Sequence, residues 1–591
     1  MTLPSLAVFT RLPGKMQPNY PIGIDDFRKL RQRQLEYVDK THLIGEILDK
    51  PGTEVFLLPR PRRFGKTLNL SMLRYFFGRS QEDHSPLFAG LHIWEAGERY
   101  RAHFQRYPVV SLSFKGIKSD NYESCFAGIR MKLRHLYEDH HFLLASPTLL
   151  PAEKHLFEQI MDGSADEAAY QDSLLNLTRY LHREQGVPAI ILIDEYDEPI
   201  HSGYLSGYAD QVLGFYRNFL TQALKDNPHL FLAVLTGILR VARESIFSGL
   251  NNLGVFSLLR PEFRTCFGFT EAEVIKLLAP LQQPELLQSI RSWYNGYVFG
   301  GQTVYNPWSV LNFLDSQDKE LRNYWVSTSS NDLVRELLAH HALKLQPELE
   351  TLMAGGTIEQ LLDENVVLGQ LKETPNALFG LLVFAGYLKA EKFDRGKGEG
   401  PGYRLSIPNR EVREVYSTTF RQWMEARMRG PGGNLERLTR ALLTGDAEGL
   451  EEQLQAFVTN LLSFHDTGGL DPEQVYHGFL VGLLAVMEPE YQVRSNREAG
   501  QGRPDVTICP RLPGKPGAVL ELKVARPGRK TPQAALAEGF LQLREMDYAA
   551  ELCERGAAPV QAFVVALRGK QVWVKKYEAK KRPARRPMPP K

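Results

Sequence analysis

Asp505-Val506-Thr507-Ile508 and Ala518-Val519-Leu520-Glu521-Leu522-Lys523-Val524 are the two runs on which the reading of this chain turns. Both are rich in β-branched and aliphatic residues, and Pro510 to Gly517 between them is rich in proline and glycine, so the pair is expected to form a β-hairpin. Side chains alternate along a strand, so Glu521 and Lys523 share one face while Leu520, Leu522 and Val524 take the other. Such a hairpin brings two carboxylates, Asp505 and Glu521, close to one ammonium. Hard cations such as Mg2+ want oxygen ligands and keep several waters. A metal held by two carboxylates activates water and stabilises charge on a phosphate, and a lysine beside it stabilises the oxyanion. Downstream, Ala534 to Ala550 has helical patterning and carries Gln542, and Ala562 to Leu567 reads as a further strand.

Strand, strand, helix, strand is an order that resembles the core of the PD-(D/E)xK nuclease superfamily, which needs an acid on one strand and E-x-K on the next. The resemblance implies phosphodiester hydrolysis with Mg2+ held by Asp505, Glu521 and the carbonyl of Leu522. Lys523 then stands near the attacking water and Gln542 orients substrate or water from the helix; Glu498 adds a carboxylate. Read alone, the same residues also fit two exposed turn acids and a salt bridge. The apolar setting of both runs favours the buried site.

In the N-terminal half, Glu54 to Leu58 is a strand-like run, followed by Arg60-Pro61-Arg62-Arg63-Phe64-Gly65-Lys66-Thr67 and a helical pattern from Leu68 to Phe77. This is the setting of a phosphate-binding loop. Backbone N–H groups cradle phosphate, Lys66 reaches the outer phosphates and Thr67 holds Mg2+. Arg60 stands where that pattern has its first glycine. Ala189-Ile190-Ile191-Leu192-Ile193-Asp194-Glu195 is long and apolar enough for a buried parallel strand and ends in two acids. Asp194 is expected on Mg2+ through water, and Glu195 on the attacking water. A third strand, Leu230 to Leu235, places Thr236 beside the outermost phosphate, with Arg240 or Arg243 beyond it as sensor or arginine finger. The alternative for Asp194-Glu195 is a helix cap at a strand end.

Several stretches together resemble the AAA-ATPase-like family of prokaryotic proteins that carry a C-terminal PD-(D/E)xK domain. They include Tyr37-Val38-Asp39-Lys40-Thr41, the Arg60 to Leu68 segment, Asp194-Glu195-Tyr196-Asp197-Glu198-Pro199, Trp293-Tyr294-Asn295-Gly296-Tyr297 and Tyr305-Asn306-Pro307-Trp308-Ser309. Arg60 matches the family's own pattern. The resemblance implies ATP and Mg2+ bound by Gly65, Lys66, Thr67, Asp194 and Glu195. Arg62 and Arg63 flank the phosphates and bind them or pair with Asp197 and Glu198; Arg63 is carried forward as a nucleotide-binding candidate.

At 591 residues the chain exceeds one core, so several domains are expected. The net charge of +2 hides a basic, proline-rich end: Lys575 to Lys591 has eight basic residues and one acid, which leaves the remainder near −5. That tail grips phosphates or merely solubilises the chain end. Cys125, Cys266, Cys509 and Cys553 show no C-x-x-C spacing, so no zinc site or disulfide framework is signalled and a reducing cytoplasm is expected. No stretch approaches the ~18 apolar residues of a membrane span.

The expected architecture is α/β. A P-loop, AAA-like parallel sheet core occupies 18–265, and a helical lid with a winged-helix arrangement occupies 266–430. A PD-(D/E)xK-type α/β domain follows at 434–577, then a basic tail at 578–591. Thr270 and Glu273 form a capping box that opens the lid. The aromatic cluster of Trp293, Tyr294, Tyr297, Tyr305 and Trp308 is expected to pack at a subdomain contact rather than stack on bases. The expected function is ATP binding and hydrolysis coupled to Mg2+-dependent cutting of nucleic acid, DNA favoured, by a cytoplasmic protein that forms a homo-oligomer. The rival is a nucleotide-dependent scaffold whose nuclease-like domain binds nucleic acid or protein without cutting.

Overall fold

The buried runs of the sequence become the strands of two separate sheets. The structure is a computed structural model that describes residues 19–239, 246–247, 250–325, 334, 337, 345–353, 355–364, 375–396, 400–416, 435–461, 480, 483–484, 487, 490–495, 505–525, 530–546 and 548–578. The described residues of Met1–Leu337 and Glu359–Glu411 form one compact unit, and those of Leu338–Ile358 and Val412–Lys591 form a second. Arg240, Arg243, Glu498 and the basic tail beyond 578 lie outside the described residues.

The first unit is organised by five parallel strands: β1 (Val55–Pro59), β2 (Val109–Ser113), β3 (Ala189–Asp194), β4 (Leu230–Gly237) and β5 (Leu253–Val255). Their order across the sheet is β2-β3-β4-β1-β5. Every residue of β1 and β3 is buried. Helices Lys66–Phe77, Ser173–Gln185 and Ala209–Leu224 pack on the sheet, which is why these strands read as unbroken apolar runs rather than alternating ones. The strand carrying Thr236, β4, lies between the phosphate-loop strand and the acid-bearing strand. Leu58 pairs with Thr236, and Ile193 pairs with Leu235, so the carboxyl ends of the three strands are level.

Beyond the sheet, the capping box forms as expected. Thr270 Oγ1 accepts from the Glu273 N–H at 3.4 Å, and the Thr270 N–H donates to Glu273 Oε2 at 2.7 Å, opening the helix Glu271–Leu278. Asn306 caps the helix Pro307–Asp315 by accepting from the N–H groups of Trp308 and Ser309. Tyr294 and Tyr305 are in a buried cluster with Phe269, Val310 and Phe313, the packing role expected of them. The helix Pro375–Phe384 and an antiparallel pair, Lys389–Phe393 with Gly402–Ser406, follow in the order helix then hairpin.

The second unit has a mixed five-stranded sheet in chain order: β6 (Tyr491–Ser495), β7 (Val506–Pro510), β8 (Gly517–Val524), β9 (Val560–Arg568) and β10 (Gln571–Lys576). β7 and β8 are the antiparallel hairpin expected, with Val506 opposite Leu520. β8 and β9 are parallel, and the chain crosses between them through the helix Pro532–Met546. The sheet's two faces bury different partners. Leu520 and Leu522 pack in a core with Leu438, Leu450 and Phe457 of helices Leu435–Thr444 and Ala447–Leu461. Val519 and Val564 pack with Ala535, Leu536 and Leu543 of the crossover helix. Alternation then puts Glu521 and Lys523 on the crossover-helix face. Edge strands β6 and β10 were not among the strands expected from the sequence, because both are short and half polar.

Candidate functional sites

In the first unit the phosphate loop hangs from β1. Arg63 (φ 68°) and Gly65 (φ 85°) are both left-handed, and Gly65 then caps the helix Lys66–Phe77. Positive φ is cheap for glycine but uncommon for arginine, so the Arg63 conformation is imposed by its surroundings. Its guanidinium carbon lies 4.1 Å from the Trp308 ring centroid, a cation–π contact between the loop and the Pro307–Asp315 helix. Lys66 is buried, and its Nζ donates to the carbonyls of Arg60 and Pro61 at 3.0 and 3.1 Å. Burial lowers its pKa against the pull of Asp194 and Glu195.

Arg60 explains its own departure from glycine. It is fully buried, and it donates to the carbonyls of Pro59, Phe256 and Phe263 at 2.8, 2.7 and 3.3 Å. Phe267 and Phe299 lie 5.0 and 5.4 Å from it. It ties the loop to the 256–263 segment, and burial pushes its pKa down to about 10.

The level strand ends gather the remaining residues. Thr67 Oγ1 donates to Asp194 Oδ2 at 2.7 Å, and Thr236 Oγ1 donates to Asp194 Oδ1 at 2.6 Å. Asp194 is thus held between the helix start and β4. Glu195 follows in a left-handed conformation, φ 50°. Burial first, then the charges of Asp194 and Glu198, push its carboxyl up to about 7, opposed by Lys66. Asp197 is occupied differently. It accepts from the N–H groups of Ile238 and Leu239 at 2.8 and 3.0 Å, and a Cβ on Gly237 would lie 2.6 Å from its Oδ1. Asp197 pins the turn after β4, and glycine at 237 lets it approach. Arg62 lies 3.9 Å from Glu198.

A cavity of about 470 Å³ opens beside these groups, and Asp194 and Thr236 are not among the residues that line it. Arg63, Gly65, Lys66, Thr67 and Glu195 line it, with Tyr37, Val38 and Leu311 supplying apolar wall. Lys115, Lys118 and Trp308 also line it, and sequence reasoning gave none of them a place there. The missed signal is Lys115 directly after the strand-like run Val109 to Phe114, in which apolar residues are interrupted by two serines: a polar residue at the carboxyl end of a parallel strand faces the crevice. Among the described residues His42, Glu46 and Cys266 bring ligating atoms within 4.8 Å of one another. The Cys266 thiol lies 3.3 Å from Glu46, and burial first, then the Glu46 charge, push its pKa up against the pull of Arg60 and Lys40, so the thiol keeps its proton and is a poor metal ligand.

In the second unit, continuing the register places Asp505 across from Glu521. Asp505 Oδ2 accepts the Leu522 N–H at 2.7 Å, which draws its carboxylate over the backbone between Glu521 and Lys523. Lys523 Nζ lies 2.6 Å from Glu521 Oε1, and both side chains are buried. Glu521 Oε2 is buried, and no donor among the described residues reaches it. Burial, then the Asp505 charge, push the Glu521 carboxyl up to about 7 against the pull of Lys523. Two acids repelling one another, with one buried oxygen lacking a donor, is a donor set that fits a hard divalent cation.

Gln542 is half-buried on the crossover helix, three residues after Gly539 and so on the same helix face. A Cβ at Gly539 would lie 2.4 Å from Val564 Cγ1, so glycine lets this face approach β9, the neighbour of β8.

The family described as predicted AAA-ATPase matches residues 21–247, and the PD-(D/E)XK nuclease superfamily matches 471–577. This chain belongs to the AAA-ATPase-like proteins that carry a PD-(D/E)XK domain. A protein of Azotobacter chroococcum mcd 1, described as an uncharacterized protein in vnfD 5'region, is 30% identical to this AAA-ATPase-like chain over 497 residues. The match covers 83% of this chain and 86% of that protein. The structure of the Aeropyrum pernix ORC1 protein in complex with DNA matches with 14% identity and a TM-score of 0.21, covering 65% of this chain and 93% of that one. A likeness at that level bears no functional weight. Among the described residues no helix is long and apolar enough to cross a membrane.

Proposed function

We propose that this chain hydrolyses ATP in its first unit and cuts nucleic acid, DNA in preference, in its second, with the nucleotide state governing the cutting. The single observation that carries the cutting is Glu521: a fully buried carboxylate, beside Asp505 and 2.6 Å from Lys523, with one oxygen that no donor among the described residues reaches. A buried polar atom without a partner costs about 1–3 kcal/mol, and the neighbouring Asp505 charge adds to that cost when both acids are ionised. Asp505 and Glu521 would hold Mg2+, which when bound supplies charge stabilisation at the scissile phosphate and lowers the pKa of water. Lys523, fixed by Glu521, keeps a positive charge beside the reacting phosphate, and Gln542 orients substrate or water from the crossover helix.

At the nucleotide site, Lys66 would leave the loop carbonyls for the outer phosphates, while Thr67 and Asp194 hold Mg2+ and Thr236 keeps Asp194 oriented. Glu195, with its carboxyl raised to about 7, would take the proton of the attacking water. Arg63, already turned into the cavity, binds phosphate, and Arg240 is retained as a sensor. The four unpaired cysteines, three of them buried, support a reducing cytoplasm as the working compartment. Oligomerisation belongs to the same proposal.

The test is plasmid cleavage by the purified full-length protein with Mg2+, and with EDTA as control, beside ATP turnover. Lys523→Ala is expected to abolish cutting and leave ATP binding intact. Cutting by that variant at the wild-type rate rejects the nuclease assignment. Wild-type protein that binds plasmid in an ATP-sensitive way without cutting it supports the scaffold reading instead.

A further inference from the structure

The turn after β2 reaches the nucleotide cavity with two lysines that have no role in the reading above. β2 ends with Ser113 opposite Asp194, and the Phe114 N–H donates to the Asp194 carbonyl at 3.0 Å. The backbone is therefore anchored to the acid-bearing strand one residue before Lys115. Gly116, at φ 83°, turns the chain back so that Lys118 reaches the same cavity. Lys118 Nζ lies 3.8 Å from Glu198 Oε1, an acid that Arg62 approaches from its other oxygen at 3.9 Å. Glu198 in turn donates its N–H to the Glu195 carbonyl at 3.1 Å, which sets Lys118 on the Glu195 side of the cavity. Lys115 Nζ lies 3.2 Å from Asp25 Oδ2 at the rim.

Charge decides what this end of the cavity takes. Six cationic and four acidic side chains line it, so the lining is cation-rich even before a ligand enters. Lys66 reaches the outer phosphates and Glu195 faces the attacking water, so the outermost phosphate belongs between them. Lys118 approaches the same cavity through Glu198, three residues after Glu195. Both new lysines are about half exposed, with side chains at 52% and 58% of full exposure. Ion pairs so exposed contribute roughly 0–1 kcal/mol to the fold.

We propose that Lys118, assisted by Lys115, is a ligand of the outermost phosphate, supplied by the chain itself, which makes the site prefer a nucleoside triphosphate over a diphosphate. This rests on the ATP reading above. The lysine ammonium would exchange Glu198 for the phosphate oxygens, adding positive charge where negative charge gathers during phosphoryl transfer.

The test uses the full-length protein with Mg2+ and fluorescent ATP and ADP analogues in separate titrations. Lys118→Ala is expected to weaken ATP binding tenfold or more and to leave ADP binding within twofold, with an unchanged melting temperature. Lys118→Arg should restore the preference, and Lys115→Ala should lose a smaller part of it. ATP binding within twofold of wild type in the Lys115→Ala, Lys118→Ala double variant overturns the proposal, as does an equal loss for both nucleotides. Wild-type protein that binds neither nucleotide overturns the ATP reading itself and this inference with it, an outcome visible before any residue is changed.

Discussion

Glu521→Gln is expected to make the metal-free protein more stable while abolishing cutting. In the folded chain the Glu521 carboxyl rises from 4.5 to about 7, through burial and then the Asp505 charge. A raised acid keeps a proton in the folded state that the unfolded chain has released. Stability is therefore lost as pH climbs from about 4.5 to about 7, and it stays lowered above that. At ~1.4 kcal/mol per pH unit, the burden of the ionised side chain reaches ~3 kcal/mol at pH 8 and stays below ~1 kcal/mol at pH 5. Glutamine keeps the shape, carries no charge and offers its amide to Asp505. Chemical denaturation of the full-length variant in EDTA should show a gain near ~3 kcal/mol at pH 8 that nearly vanishes at pH 5. Plasmid cleavage with Mg2+ should be lost. A stability difference that is the same at both pH values refutes the argument that Asp505 and Glu521 repel one another. Wild-type cutting by the variant removes Glu521 from the chemistry.

Arg60→Gly restores the glycine of the common phosphate-loop pattern, and it should harm the protein. It strands the carbonyls of Pro59, Phe256 and Phe263 and opens a void beside two phenylalanine rings. A loss of about 3 kcal/mol or more is expected, read as a fall in melting temperature and weaker nucleotide binding. ATP turnover should decline as pH falls through about 7, because Glu195 must be ionised to accept a proton. Glu195→Gln should abolish turnover at every pH while retaining bound ATP. Gly539→Ala sets a Cβ 2.4 Å from Val564 Cγ1. Overpacking of about 1–3 kcal/mol outweighs the ~1 kcal/mol helix preference of alanine, so both the melting temperature and the cutting rate should drop.

What the sequence disclosed follows from which residues act through periodicity. The β7–β8 hairpin, the crossover helix and strands β1, β3 and β4 are apolar runs with polar ends, and their patterns were sufficient to place Lys66, Thr67, Asp194, Glu195 and Thr236 at one sheet edge. The acid pair was legible because Glu521 is conspicuous in the middle of an aliphatic strand and Asp505 directly precedes another. The strand order was not, since nothing in the β4 run says that it inserts between β1 and β3. Arg60 looked like a departure from a motif because its three carbonyl partners come partly from a segment some two hundred residues away. Lys115 and Lys118 belong to none of the motifs read in the sequence. Their place in the cavity depends on β2 pairing with β3, a register that only the folded sheet reveals.

The Asp194 carboxylate spends both of its oxygens on threonine hydroxyls, one at the start of the phosphate-loop helix and one at the end of the central strand. A carboxylate oxygen has a second lone pair, so a cation loaded there would share this acid with the two hydroxyls and re-aim the bonds that tie the helix and the strand to it. The occupancy of one small site is then transmitted to two structural elements at once, with no relay of intervening side chains.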